Sequence, residues 1–519
     1  MRRYGTVTVA LIALGALAAG LLQARERRQA NWQQSFRDGI RRPLGVYAHF
    51  DIEDLTSGYT GTNVHAYLHG IYAGLLADDA VTGITVGQHW DHIQVSDPNC
   101  VLTHSCLGDR EGYDWSYLDD AFGEAEAAHK SVQLIITPGV DAPLWLLAKI
   151  PPCDGLFATP NPEPVAPNCG TFLFQGFPEE GRADYTNPVF PLPWNGVYKA
   201  AWWDFLAHLS ARYSENPAFV AMEIGGPNGA SVEIILPTSA NETQRQEGGL
   251  TADDVWSALI QHSFPNVSEY QNSDQVFIDQ WDQAIDVYER LFSGVTLILS
   301  PDAGDDLPLF KNQNSTVPPP PDSDLALFNQ DCSAAINGTK DDLRSCEAKT
   351  EIITHFLNAW GPNAKSTEVG GMTASSAVTP GDIGLPGIKL LTLLPPPERS
   401  ILAGAQFDHD ASNPKDGEGC TPPEGPSCTL APEQAAYNVL QVFFDGTSFA
   451  FSFGGTNGPY SVTYLDVPTA DIQYAEAPAN QCPSTTLGTV SFQDLLNKAN
   501  HELFALAGEW IPLRPLTCK

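Results

Sequence analysis

"GVYKAAWWDFLAHLSARYSENPAFVAMEIGGPNGASVEIILP", from Gly196 to Pro237, holds one complete structural unit of the chain. Gly196 to Ser214 reads as a helix. Pro217 to Gly226 reads as a strand, with Phe219, Val220, Ala221, Met222 and Ile224 as its apolar body. The strand breaks at Gly225, Gly226, Pro227, Asn228 and Gly229, a cluster of turn-forming residues. Beyond the break an acidic residue, Glu233, stands between Val232 and the aliphatic run Ile234, Ile235, Leu236. A carboxylate among aliphatics just past a strand end is a candidate for chemistry, because apolar surroundings raise a carboxyl pKa.

The same alternation runs outward in both directions. Toward the N-terminus, strands are expected at 43–52, 81–90 and 131–139, with helices at 63–78 and 114–130 between them. In the first of these helices Val64, Leu68, Ile71 and Leu75 share one side. The second opens at Asp114, a residue type suited to capping. Toward the C-terminus come a helix at 279–294 and a strand at 295–304. A helix at 346–360, a weak strand at 367–375 and a strand at 400–408 follow. Next is a helix at 432–446, then a last strand at 461–467, for which 448–455 competes. Repeated strand-then-helix units with apolar, β-branched strands imply parallel strands buried on both faces. Seven or eight such units point to an α/β chain closed as a (β/α)8 TIM barrel, its long loops stapled by disulfides. No G-x-G-x-x-G follows the first strand, which argues against a dinucleotide site. The 519 residues would ordinarily suggest three domains, but barrels with insertions run past about 400 residues as one unit. The expectation is a single barrel domain over 40–519.

Charge and cysteine usage narrow the setting. The chain carries 62 acidic against 27 basic residues, a formal charge of −35. Such a surface repels phosphate backbones and anionic lipid, so nucleic acid is not an expected partner. Ten cysteines fall as close neighbours: Cys100/Cys106, Cys153/Cys169, Cys332/Cys346, Cys420/Cys428 and Cys482/Cys518. An even count bracketing short loops reads as five local disulfides formed in an oxidising compartment. None of the spacings is that of a zinc site. Arg2 and Arg3 precede the apolar run Val7 to Leu22, so residues 1–30 read as a signal peptide or an uncleaved signal-anchor. An exported protein follows: secreted, periplasmic or at the cell surface, with membrane contact only through that anchor.

From Val81 to Pro237 the chain resembles barrel-type glycoside hydrolases of the broad β-galactosidase/cellulase-like group. The segments that carry the resemblance are "GITVGQHWDHIQVSD", "YDWSYLDDAFGEAEAAHKSVQLIITPGVDAPLWL" and "FLAHLSARYSENPAFVAMEIGG". It implies a barrel, sugar chemistry and an acid/base carboxylate just after strand four, where Glu233 stands. "GPNGASVEIILP" also resembles the "GPAGEL" turn of β-amylases, whose glutamate is the proton donor. Glu223, within the strand, is the competing carboxylate. The group carries its second carboxylate as a glutamate at the end of strand seven. Here Gln406 occupies that place, and Asp408 and Asp466 are the candidates for the role; each is equally a residue type common in turns and caps. Sugar rings present apolar faces, so Trp90 after strand two and Trp145 after strand three are candidate platforms. His89 and His92 flank Trp90, with His89 a candidate for binding hydroxyls. H-x-x-H without a third placed ligand does not make a metal site, so no metal and no cofactor is expected. No G-x-S-x-G elbow offers a serine nucleophile. The function expected is therefore a glycoside hydrolase acting on an oligo- or polysaccharide through two carboxylates, with no stable protein partner evident. The alternative is a non-catalytic glycan-binding or surface protein on the same scaffold, which the missing strand-seven glutamate favours.

Overall fold

The structure is a computed structural model that describes residues 36–37, 40–158, 162–177, 189–229, 232–239, 242–271, 274–300, 307–308, 348, 351–353, 355–356, 365–369, 402–407, 411–413, 430–444, 462–477 and 491–506. Its centre is a ring of eight strands. These are β1 (Gly45–Asp51), β2 (Val81–His89), β3 (Ser131–Thr137), β4 (Phe219–Glu223), β5 (Thr296–Leu299), β6 (Lys365–Val369), β7 (Leu402–Gln406) and β8 (Val462–Pro468). Each pairs in parallel with the next, and β8 returns to β1. Six strands, β8 and β1 through β5, form a curled sheet whose side chains are described; β6 and β7 complete the circle chiefly through backbone pairing.

Helices connect most of the strands. α1 (Val64–Ala77) links β1 to β2, α2 (Ser116–Ala128) links β2 to β3, and α3 (Gly196–Tyr213) links β3 to β4. α4 (Gln275–Leu291) leads into β5, α5 (Pro432–Phe444) precedes β8, and α6 (Phe492–Leu506) follows it. The expected helix at 346–360 lies largely outside the described residues, as do the competing strand at 448–455 and the apolar run at 7–22. No helix among the described residues is long and apolar enough to cross a membrane.

Local chemistry sets the helix starts. Asn195 Oδ1 accepts from the backbone N–H groups of Val197 and Tyr198 at the head of α3, at 2.9 and 3.1 Å. Asn63 Oδ1 does the same for Ala66 in α1, at 3.0 Å. α2 starts two residues later than expected, at Ser116. Asp114 stands just outside it, its Oδ1 accepting from Ser116 N–H at 3.1 Å. The expected apolar side of α1 is the buried one, with Leu68 and Leu75 both shut from solvent. Tyr72 from the same helix stacks on Phe50 of β1.

The main core lies between ring and helices, and a smaller cluster containing Tyr47, Ala221, Ile298 and Tyr464 fills the lower ring. Two glycines make room for its tyrosines. A Cβ on Gly83 would lie 2.4 Å from the Tyr47 ring, and one on Gly404 would lie 1.9 Å from that of Tyr464. Tyr464 is fully buried and has nowhere to retreat. Gly404→Ala is therefore expected to destabilise the protein by about 1–3 kcal/mol through overpacking. Denaturant unfolding checks this, and an unchanged midpoint would contradict the packing described.

Two disulfides are formed among the described residues, Cys100–Cys106 and Cys153–Cys169, each between nearest neighbours as expected. The second staples the excursion between β3 and α3, where Thr171–Leu173 and Val189–Pro191 pair antiparallel. The other three expected bridges lie outside the described residues.

Candidate active site at the C-terminal end of the ring

In a closed parallel ring the strand C-termini converge on one face, and the chain from Glu223 onward is pinned across that face. Ile224 N–H donates to Ile298 O at 2.9 Å, and Gly225 N–H donates to the Tyr288 hydroxyl at 3.0 Å. Gly226 lies flat on Trp281, where a Cβ would meet the ring at 2.4 Å. Gly229 N–H donates to Ile235 O at 2.7 Å and so closes the turn back on itself. Gly139 supports this turn from β3: its φ is +66°, and a Cβ there would strike Gly229 O at 2.1 Å, so only glycine fits. Ile234 N–H then donates to Ser300 O at 3.3 Å. These bonds place Glu233 on the rim beside the end of β5. It is half-buried between buried Val232 and Ile234.

Ser300 also connects to Glu223, since its hydroxyl donates to Glu223 Oε1. Glu223 is the last residue of β4, and its residue is only 3% exposed. Burial, with the negative charges of Asp466 and Asp51 adding to it and the Ser300 hydroxyl opposing, pushes its carboxyl up to about 8. A glutamate in this setting holds its proton at neutral pH. The environment expected from sequence at Glu233 is thus found most strongly at Glu223. Asp51, at the end of β1, owes its position to Gly87, where any Cβ would fall 1.5 Å from its Oδ1.

Asp466 is buried within the ring, level with the last residue of β7. It precedes the end of β8 by two residues and is 1% exposed. Its Oδ1 accepts from Thr85 Oγ1 at 2.7 Å and its Oδ2 from Gln133 Nε2 at 2.8 Å. Both oxygens thus have partners inside the ring, and the charge of Asp466 adds to the upward shift at Glu223. Asp408 lies outside the described residues. Gln406 ends β7, half-buried and in register with Asp466.

The tryptophan platforms also change. Trp90 is fully buried against Trp202 and Phe205 of α3, and its indole N–H donates to Gln94 Oε1 at 2.8 Å. Neither face is open to a sugar. Trp145 is half-buried; its N–H donates to Gln94 O at 3.1 Å, and the Lys149 ammonium sits 4.7 Å over its ring. His89, at the end of β2, lies with its Nδ1 3.5 Å from Asp141 Oδ1 and stacks on His92. Ser300, Thr85, Gln133 and Asp51 were not singled out from sequence. For Thr85 and Gln133 a signal existed: each is a polar residue in the middle of a strand buried on both faces.

No protein-family model matches the chain, and no curated protein matches it. Among solved structures it is similar to a β-galactosidase from the psychrophilic Marinomonas ef1, at 9% identity and a TM-score of 0.37, over 90% of this chain and 61% of that one. It is also similar to endo-glycoceramidase II from Rhodococcus sp., at 12% identity and a TM-score of 0.29, over 76% and 78%. A β-galactosidase from Bacillus circulans sp. alkalophilus matches at 11% identity and a TM-score of 0.27, over 52% and 38%. The chain thus spans under two thirds of the length of both β-galactosidases.

Proposed function

We propose that the chain is a (β/α)8-barrel glycoside hydrolase whose acid/base chemistry is carried by Glu223, at the buried end of β4, and Glu233, on the turn that follows it. The observation that carries the reading is Glu223: a carboxyl buried at the C-terminal end of the ring and bonded to the Ser300 hydroxyl, where burial and the neighbouring acids Asp466 and Asp51 raise its pKa. A general acid for glycosidic cleavage needs that property. Glu233, half-buried on the same rim and tied to the same serine through the Ile234 N–H, supplies the second carboxylate. In this assignment Glu223 gives its proton to the leaving oxygen. As the bond to the leaving oxygen breaks, Glu233 either bonds to the anomeric carbon itself or takes a proton from the water that bonds there. Burial holds the proton on Glu223, and the charge of Asp466 adds to that effect. The sequence resemblance over Val81 to Pro237 supports the substrate class, an oligo- or polysaccharide, and the two local disulfides support an exported protein.

The full chain incubated with a panel of defined oligosaccharides tests this. The reading expects new reducing ends from at least one of them. Gln406 at the end of β7 favours the non-catalytic alternative, which expects saturable glycan binding with no cleavage. Neither binding nor cleavage would remove both.

A further inference from the structure

We infer that Glu53, His89 and His92 form a binding site for a divalent transition-metal ion of the zinc class. His89 ends β2, and His92 lies one turn on, in the short helix Trp90–Ile93. Sequence spacing offers only this histidine pair. Closure of the ring adds the third ligand, because Glu53 lies in the helix Ile52–Ser57 that follows the neighbouring strand β1. One ligand atom from each of the three lies within 4.8 Å of the others. Ligand bonds of ~2.0–2.2 Å are reached by inward movements of under about 1 Å. Two imidazoles and one carboxylate, with coordination positions left for water, suit zinc and its neighbours over calcium or magnesium.

A separate observation points to a ligand. Glu53 Oε1 is taken by His92 Nδ1 at 2.7 Å and by the backbone N–H of His89 at 3.3 Å. Glu53 Oε2 is buried and has no hydrogen-bond partner among the described residues. An unsatisfied buried carboxylate oxygen is costly, and a bound cation removes that cost. The surroundings are also those of a supported ligand. Asp141 is fully buried, is held by the Thr137 hydroxyl, and lies with its Oδ1 3.5 Å from Nδ1 of His89, the kind of outer carboxylate that orients a ligating imidazole. The His92 side chain is 54% exposed, so an ion has a path from solvent.

Cobalt(II) is the probe, because four- or five-coordinate ligation by histidine gives it visible bands far more intense than those of the hydrated ion held loosely at an acidic surface. The chelator-treated full chain is titrated with Co²⁺ and then with Zn²⁺. The inference expects bands that saturate at one Co²⁺ per chain and are displaced by Zn²⁺. His92→Ala, at a half-exposed position, is expected to weaken binding by more than about 100-fold, and Glu53→Gln by at least about 10-fold, since even outer partners of such sites are worth 10–100-fold. Melting curves accompany both variants. Absence of the bands in the unaltered chain overturns the inference, as does equal affinity in the two folded variants. The readout is spectroscopic, so the outcome does not depend on whether the chain cleaves glycans.

Discussion

Glu223→Gln is expected to lower turnover on an unactivated glycan by about 10²–10⁴-fold, the usual worth of general acid catalysis, while the protein still folds. Glutamine matches the neutral carboxylic acid in shape, and its amide still reaches the Ser300 hydroxyl that now donates to Glu223. What it lacks is a transferable proton. An aryl glycoside with a good leaving group needs little protonation, so its first chemical step is spared in this variant. Glu233→Gln behaves differently. A nucleophile or base is needed whatever the leaving group, so both substrates slow together. If the leaving-group dependence appears in Glu233→Gln instead, the two roles are reversed and the assignment made from burial is wrong. Near-normal activity of folded Glu223→Gln on its glycan ends the case for Glu223.

A second large effect is expected in the pH dependence of stability. The Glu223 carboxyl rises from 4.5 in the unfolded chain to about 8 in the folded one. Between these values the native state holds a proton that the unfolded state has released. Stability from this group is therefore full below about pH 4.5 and is lost as pH rises toward 8. The loss is on the order of a few kcal/mol, at about 1.4 kcal/mol for each pH unit of the window. Glutamine does not titrate, so Glu223→Gln gains on the unaltered protein as pH rises from 5 to 9 and matches it most closely in acid. Paired urea titrations across that range check the sign. The difference between the proteins is the informative quantity, because the −35 formal charge makes both less stable in alkali. A constant difference at every pH contradicts a protonated Glu223.

The fold was legible in the sequence where burial alone decides the pattern. Ser131–Thr137 and Phe219–Glu223 are apolar, short and bounded by turn residues, and each falls inside its expected strand. α3 begins and ends within a residue of its expected limits because Asn195 caps it and its apolar face, with Tyr198, Trp202 and Phe205, packs on Trp90. The site was less legible because its contacts are not local. Thr85 and Gln133 reach Asp466 across 381 and 333 residues of chain, and nothing near Asp466 announces them. Glu223 was visible only as a carboxylate in a strand. That it faces Ser300 and the charges of Asp51 and Asp466 follows from which strands become neighbours. Trp90 misled for the same reason: a tryptophan after a strand looks like a platform until α3 lays Trp202 and Phe205 against it. The metal-ligand candidates show the converse, a weak H-x-x-H that gains its third member only when β1 and β2 pair.

The proposed function has a protonated Glu223 drive glycosidic cleavage. Its most direct test is the pH profile of kcat/KM for the unaltered protein on a glycan it cleaves, since that profile reports the essential acid of the free enzyme. The account predicts activity that holds through neutral pH and falls away above about 8, as Glu223 loses its proton. Activity that already falls in the ordinary carboxyl range near pH 4–5, or that persists undiminished well above pH 9, would contradict it.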